Sequence, residues 1–572
     1  MPLTTMQNGG HASSKACGGG LETDYVTDKI SEQGSQQLDV VVVGAGFAGL
    51  YLVHKLRSLG YDVLGLEAAA DVGGTWYWNR YPGARCDVES LQYSYSFSEE
   101  LQQEWRWSER FAPQPEILAY LGHVADRFDL RRSFLFNTRV ASARYDENAN
   151  LWSIATETGG RFSARFCIMA TGNLSVGRIP EFAGLQDFAG EVYHTGNWPH
   201  EGVDFTGKRV GVVGTGSSAV QSIPPIAEQA EHLYVFQRTP HFSVPARNGP
   251  IEDQYDAEWK RDYPAQRAKA RSTRSGVLYD YGTKSALEVD AGEHAVELGR
   301  RWEKGGTNFL YAYNDTLRSE ASNQISADFV RERIGEIVTD PAVADKLMPK
   351  DYPIGTKRIC VDTDFYATFN RSNVTLVDVR PSPITGFDQS SLKTADSSYQ
   401  LDAVVFATGF DAMTGALLKM EIVGRNGHSL RDKWAEGPKT YLGLAIAGFP
   451  NMFIVTGPGS PSVLSNVVIA IEQHVEWIVD CIEKMEHEGI ATIEAEESAQ
   501  QEWVDHVNDV ACQTLYYQAN SWFLGANVPG KPRVFMPYVG GFNTYVAKCD
   551  DVVRNGYAGF TMTKDQAEAI PA

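Results

Sequence analysis

No C-x-x-C pair occurs anywhere in the chain. Its seven cysteines, Cys17, Cys86, Cys167, Cys360, Cys481, Cys512 and Cys549, are scattered, which argues against a dithiol redox centre or a structural zinc and for reduced thiols in the cytoplasm. Positive charge is also in short supply. Against 72 Asp and Glu stand 51 Lys and Arg, a formal net charge of −21. That balance argues against general nucleic-acid binding and against docking on a membrane surface. The first 37 residues lack the apolar core of a signal peptide, and their Gly, Ser, Gln and Thr predict a disordered tail; a short tail is also expected over 564–572. The uncharged stretch between Lys439 and Glu472 is broken by Pro450, Pro458, Gly459 and Pro461, so strand, loop and helix are expected there rather than a membrane span. What is present is length: 572 residues exceed one hydrophobic core and predict two to four domains, with the oligomeric state left open.

Residues 38–43, Leu-Asp-Val-Val-Val-Val, form a β-branched run suited to a strand buried on both faces. Gly44-Ala45-Gly46-Phe47-Ala48-Gly49 follows, and residues 50–56 then carry helical periodicity. Strand, G-x-G-x-x-G and helix in that order allow a tight turn and bring a pyrophosphate to a helix N-terminus. A second strand over 61–66 ends in Glu67, whose carboxylate can accept from a ribose. The arrangement recurs later. A strand at 209–213 leads into Gly214-Thr215-Gly216-Ser217-Ser218-Ala219 and a helix through Val220 and Gln221; a strand at 233–236 leads to Arg238 and Thr239. Arg238 stands where Glu67 stood. A guanidinium suits the 2′-phosphate of NADP, whereas a carboxylate repels it, so FAD is expected on the first unit and NADPH on the second; a solvated strand-end charge is the alternative for Arg238.

Two apolar strands end in Ala170-Thr171-Gly172 and Ala407-Thr408-Gly409, like the crossings between nucleotide domains of flavoprotein oxidoreductases. The expected fold is therefore α/β, with two Rossmann-like dinucleotide-binding domains, the NADP domain inserted in the FAD domain, plus a helical insertion. The boundaries read as 38–173 and 405–563 for FAD, 174–240 and 350–404 for NADP, and 241–349 for the insertion. Within it, Arg261, Arg267, Lys269, Arg271 and Arg274 are expected on a solvated helix face. Glu472, Gln473, His474 and Glu476 are likewise expected to face solvent rather than hold a metal.

Two further segments carry the functional reading. Residues 73–87 follow G-G-x-W-x-x-x-x-Y-P-G-x-x-x-D, from Gly73, Gly74, Thr75 and Trp76 to Asp87; alone they could be a packed aromatic loop. Residues 188–199 follow F-x-G-x-x-x-H-x-x-x-W-P, with Phe188, Gly190, His194 and Trp198. These are either a surface loop or a hinge whose imidazole bonds to a neighbouring domain. With Gly355-Thr356-Lys357-Arg358 and the late segment 521–531, these patterns resemble the flavin-dependent Baeyer-Villiger monooxygenases, most closely the phenylacetone and steroid monooxygenase branch, from about Leu38 to Phe560.

The resemblance implies FAD contacts at Gly44, Gly46, Gly49, Glu67, Thr75, Trp76, Asp87, Tyr93, Val140 and Val467. It implies NADP contacts at Thr215, Gly216, Ser217, Ser218, Ala219, Val220, Gln221, Arg238, Thr239, Lys357 and Trp522. It places Ser462, Val463 and Leu464 in a ketone pocket and pairs Arg358, reaching the flavin, with Asp87 as the catalytic couple. The implied reaction uses NADPH and dioxygen to convert a small ketone to an ester or lactone, through a flavin C4a-peroxide and a tetrahedral peroxy intermediate. Two other readings compete: a flavin monooxygenase acting on nitrogen or sulfur, whose related hinge motif lacks Trp198-Pro199, and a redox sensor that holds FAD and NADP without oxygenating anything.

Overall fold

The structure is a computed structural model that describes residues 37–564. The two expected tails therefore lie outside the described residues, except that Gln37 opens the first strand and Lys564 closes the last.

The first sheet grows around the strand Gln37–Val43, which pairs in parallel with Val63–Leu66 on one side and Arg161–Met169 on the other. Phe134–Leu135 extends it beyond Val63–Leu66, while Leu151–Thr156, Val140–Asp146 and Glu421–Val423 continue the other edge; Met452–Ile454 also pairs with Arg161–Met169. All four residues of Val63–Leu66 are buried, as expected of an apolar strand covered on both faces. Helix Phe47–Ser58 crosses between the first two strands and packs against the long helix Val467–Glu488. Between them Leu50, Val53, Ile478 and Ile482 are buried, each side chain contributing about 1.5–3 kcal/mol.

The second sheet is all parallel, in the order Val374–Asp378, His232–Gln237, Arg209–Val213, Ala403–Phe406, Glu191–His194. Two expectations change here. Ala403–Phe406 belongs whole to this sheet, so the border expected between 404 and 405 moves to the far side of Phe406, because its four buried apolar residues need both neighbours. Residues 191–194, read either as surface loop or as hinge, form the edge strand of this sheet. The chain enters this domain past Gly177 and leaves it past Gly409, and the two crossings lie side by side: Gly177 and Phe410 form an antiparallel bridge, and the Arg178 N–H donates to the Gly409 carbonyl at 3.0 Å.

The region 241–349 opens on a strand, Ser243–Pro245, paired with Cys360–Asp362, and carries the helices Asp253–Arg261, Tyr263–Arg271, Ala291–Lys304, Glu320–Ile337 and Pro341–Leu347, joined by loops. Its basic cluster is not simply a solvated face. Arg267 is buried and donates to the Gln92 carbonyl at 2.7 Å and to Ser94 Oγ at 2.8 Å, and Arg271 pairs with Glu476 at 2.9 Å. The same correction applies to the helix it meets. Glu472 and His474 are fully buried, the first accepting from Ser96 Oγ at 2.6 Å, the second accepting from Thr456 N–H at 2.9 Å through Nδ1. Arg267 and Arg271 join the insertion to the first domain, while Glu472 ties the two stretches of the first domain together, each through a partner far along the chain. No described helix is long and apolar enough to cross a membrane.

Candidate active site

A cleft of about 1860 Å³ runs between the two sheets and receives both glycine turns. The turns are built alike. Gly44 has φ +113° and Gly214 has φ +115°, and a Cβ on either would meet a carbonyl at 2.5–2.6 Å, that of Ala170 and Ala407 respectively. Each A-T-G strand thus abuts the first glycine of its own domain. Gly49 serves packing rather than the cleft, since a Cβ there would fall 1.8 Å from the Gly44 carbonyl. Gly216 is different: a Cβ would meet nothing within 4 Å, so protein packing does not account for it, whereas close approach of a ligand does. Helices Phe47–Ser58 and Ser217–Gln229 both start at a glycine without a side-chain cap, leaving first-turn N–H groups for an anion. Two dinucleotides fit these residues.

On the first unit, Glu67 is buried and accepts from the N–H groups of Ala45 at 2.6 Å and Ala69 at 2.7 Å. Burial raises its carboxyl above the ordinary value, against those donors. Thr75, Trp76, Tyr93, Val140 and Val467 line the cleft with it, and Trp76 Nε1 donates to Tyr93 Oη at 3.3 Å. The loop over 73–87 delivers Asp87 to the same wall.

There Arg358 meets it. Nε donates to one Asp87 oxygen at 2.7 Å and Nη2 to the other at 2.8 Å, a two-point fork. Nη1 donates to the Val463 carbonyl at 2.7 Å. Of the five N–H donors of a guanidinium, one on each terminal nitrogen is left. Burial alone would raise the Asp87 carboxyl; the charge and hydrogen bonds of Arg358 outweigh it and hold the group below the ordinary range. Burial would likewise lower Arg358, and Asp87 outweighs it, so the guanidinium stays charged. With side chains 31% and 22% exposed, the pair is neither solvated nor sealed.

On the second unit, Thr215, Gly216, Ser217, Ser218, Arg238, Thr239, Lys357 and Trp522 line the cleft. Burial and the nearby Arg238 charge lower Lys357 to about 8, and its ammonium sits 4.9 Å above the Tyr352 ring. Neither Arg238 nor Lys357 makes an ion pair among the described residues, so two adjacent cations face the cleft unneutralised. A 2′-phosphate suits them. Beside them, burial and then the Lys357 charge lower His241 to about 4.

Not every predicted site residue reaches the cleft. Ala219 and Val220 are fully buried in the second core, because helix periodicity turns them inward. Gln221 does line the cleft, yet its amide is occupied: Tyr81 Oη donates to its oxygen at 2.9 Å and its nitrogen donates to the Arg85 carbonyl at 3.1 Å. It clamps the 73–87 loop to the second domain. Ser462 is fully buried, its hydroxyl held by Asn173 at 2.6 Å, and Leu464 packs beside Tyr516 and Phe523; of the three predicted pocket residues only Val463 borders the cleft. Asn173 was not singled out from the sequence, although it directly follows Ala170-Thr171-Gly172.

The segment 188–199 reaches the cleft with His194, Gly196 and Asn197, while Phe188 and Trp198 pack away from it. Phe188 packs in a cluster with Phe387 and Phe406, and a Cβ on Gly190 would strike the Asp402 carbonyl at 2.6 Å. His194 Nδ1 accepts from the Gly196 N–H at 2.9 Å, and its ring lies edge-on to Phe410 on the returning crossing. Burial lowers its pKa, keeping it neutral. Trp198 is buried, and its N–H donates to the Trp78 carbonyl at 3.3 Å, so the two sequence patterns touch.

Two dinucleotide folds sharing one cleft, with no dithiol between them among the described residues, define a pyridine-nucleotide-dependent flavoprotein. Residues 41–248 match the family described as pyridine nucleotide-disulphide oxidoreductase. The 2-oxo-Delta(3)-4,5,5-trimethylcyclopentenylacetyl-CoA monooxygenase of Pseudomonas putida is 41% identical over 540 residues, covering 92% of this chain and 99% of that protein. A Baeyer-Villiger monooxygenase of Pseudooceanicola batsensis is 42% identical over 524 residues, 91% of this chain and 95% of that one. A structure of oxidized steroid monooxygenase bound to NADP superposes with a TM-score of 0.89 at 53% identity, covering 92% of this chain and all of that one. The chain belongs to the flavin-dependent Baeyer-Villiger monooxygenases: an FAD-containing, NADPH-dependent enzyme that uses dioxygen to convert ketones to esters or lactones.

Proposed function

We propose that Arg358 and Asp87 are the catalytic couple, that the Gly44 turn, Glu67, Trp76 and Tyr93 hold FAD, and that the Gly214 turn with Arg238, Thr239 and Lys357 holds NADPH. The observation that carries this reading is the two-point contact between Asp87 and Arg358 on the cleft wall. FAD, once reduced by NADPH, supplies the oxygen-activating chemistry. The chain supplies charge and position. Arg358 keeps a fixed positive charge in a partly desolvated site, with two N–H donors left for negative charge developing on oxygen. Asp87 and the Val463 carbonyl hold the guanidinium plane still, so little reorganisation is needed when that charge appears. Val463 borders the space where a small-molecule ketone would sit beside that guanidinium.

His194 and Trp198 act on geometry rather than on protons. A neutral imidazole wedged against the crossing, and the Trp198 backbone N–H tied to the Trp78 carbonyl, set the second domain against the first. The segment over 521–531 does the same from the other side: Lys531 Nζ reaches Asp411 at 2.6 Å and Asn527 Nδ2 reaches the Phe410 carbonyl at 2.8 Å, which holds Trp522 at the cleft.

The test is aerobic turnover of the purified FAD-loaded protein with NADPH and a panel of aryl, cyclic and steroid ketones under labelled dioxygen, read by mass spectrometry. One labelled oxygen in an ester or lactone, lost in R358A while flavin stays bound, is the expected result. Ester synthesis that survives in R358A would remove Arg358 from the chemistry. Oxygen delivered only to added sulfides or amines would replace ketone with heteroatom substrates.

A further inference from the structure

Three residues with side chains, Met413 (φ +68°), Thr456 (φ +56°) and Ser462 (φ +44°), adopt the left-handed backbone that favours glycine. Met413 is far in sequence from Thr456 and Ser462, yet one residue holds all three. The Asn173 carbonyl accepts from the Met413 N–H at 2.9 Å. Its side-chain nitrogen spends one N–H on Thr456 Oγ1 at 3.2 Å and the other on Ser462 Oγ at 2.6 Å. Ser462 Oγ in turn donates to Met413 Sδ at 3.6 Å, which closes the group.

The next residue after Ser462 is Val463, whose carbonyl receives Nη1 of Arg358. Left-handed backbone at a non-glycine residue persists only where surroundings enforce it. A return of Ser462 to negative φ would redirect the chain that follows and withdraw the carbonyl from the guanidinium. Asn173 itself lies on the cleft wall, immediately after the outgoing A-T-G crossing.

We infer that Asn173 is a positioning residue of the oxygenation reaction: by holding Ser462 left-handed it aims the Val463 carbonyl at Arg358. The inference rests on the catalytic reading of Arg358 above. It assigns Asn173 to the oxygenation half of the cycle and not to flavin reduction, because neither the Gly214 turn nor Lys357 is among its partners.

The test compares N173A with N173A/S462G as FAD-loaded enzymes on a ketone that the wild type converts. Flavin reduction is followed anaerobically, and coupling is ester formed per NADPH consumed. In N173A, flavin reduction is expected to stay within about twofold of wild type while coupling falls roughly tenfold, the size of a released left-handed residue. Adding S462G should restore most of the coupling, since glycine holds that backbone without help. Wild-type coupling in N173A, or no recovery in the double variant, overturns the inference. Should N173A fail to retain FAD, S462A and S462G decide. Both lack the hydroxyl, but only alanine resists the left-handed turn, so coupling should be about tenfold poorer in S462A; equal coupling overturns the inference. R358A is run in parallel. Normal coupling there removes the premise, whereas a defect in R358A with normal N173A removes only the role of Asn173.

Discussion

Replacing Asp87 with asparagine keeps the size of the side chain and removes its charge. The amide oxygen can still accept one of the two Arg358 donors, at 2.7 or 2.8 Å in the native fork, but the amide nitrogen then faces the other donor N–H to N–H. One charge-assisted hydrogen bond is lost, worth about 1.5–3 kcal/mol. The guanidinium keeps its Val463 contact and its charge, and loses its fixed plane. If its position matters only to oxygenation, that energy appears in one half of the cycle, as a fall of roughly 10- to 150-fold in ester formation. Anaerobic bleaching of the flavin by NADPH should change by less than about threefold. Stopped-flow absorbance measures the second quantity, and labelled product per NADPH consumed measures the first. Ester formed at the native rate by D87N, or equal slowing of both halves, would refute a role for the fork in aiming charge at oxygen.

Three other outcomes follow from the same geometry. Lys357, lowered to about 8, is charged below that pH and neutral above it, so KM for NADPH should rise as pH climbs past 8, and K357A should abolish the inflection. R238A should raise KM for NADPH roughly 10- to 100-fold while leaving NADH almost unchanged, as expected for losing one charged contact to the 2′-phosphate; equal effects on both would assign Arg238 elsewhere. G44A and G214A each drive a Cβ into a carbonyl at 2.5–2.6 Å. The first should purify without flavin, whereas the second should stay yellow yet fail to bleach with NADPH, a distinction read from the visible spectrum.

Much of this was legible in the sequence because it depends on neighbours in the chain. Val40 to Gly49 announces strand, turn and helix through a switch of hydrophobic period, and Arg238 takes the place of Glu67 at an equivalent strand end. What was not legible depends on partners hundreds of residues away. Glu472 finds Ser96 and Arg267 finds the carbonyl of Gln92, so polar helical residues that composition assigns to solvent are interior, and Gln221, expected at NADP, finds Tyr81 and Arg85. Ala219 and Val220 share a turn with cleft residues but point to the core, since 100° per residue separates them. Ser462 offers no hint in its type that its hydroxyl faces inward, and the acceptor role of Val463 belongs to its backbone.

The clamped crossings at Gly177 and Phe410 have a mechanical consequence. Two separate tethers at distant points would fix one domain on the other, and a single tether would let it wander. A pair bonded edge to edge behaves as one leaf spring: it bends and twists about a line through both strands and resists being pulled apart. Residues 178–409 are, topologically, one long loop hung from that spring. Any swing of the nucleotide-bearing second sheet therefore pivots close to Arg178, which also donates to the carbonyl of Asn527, so motion there is transmitted directly to the strap that carries Trp522.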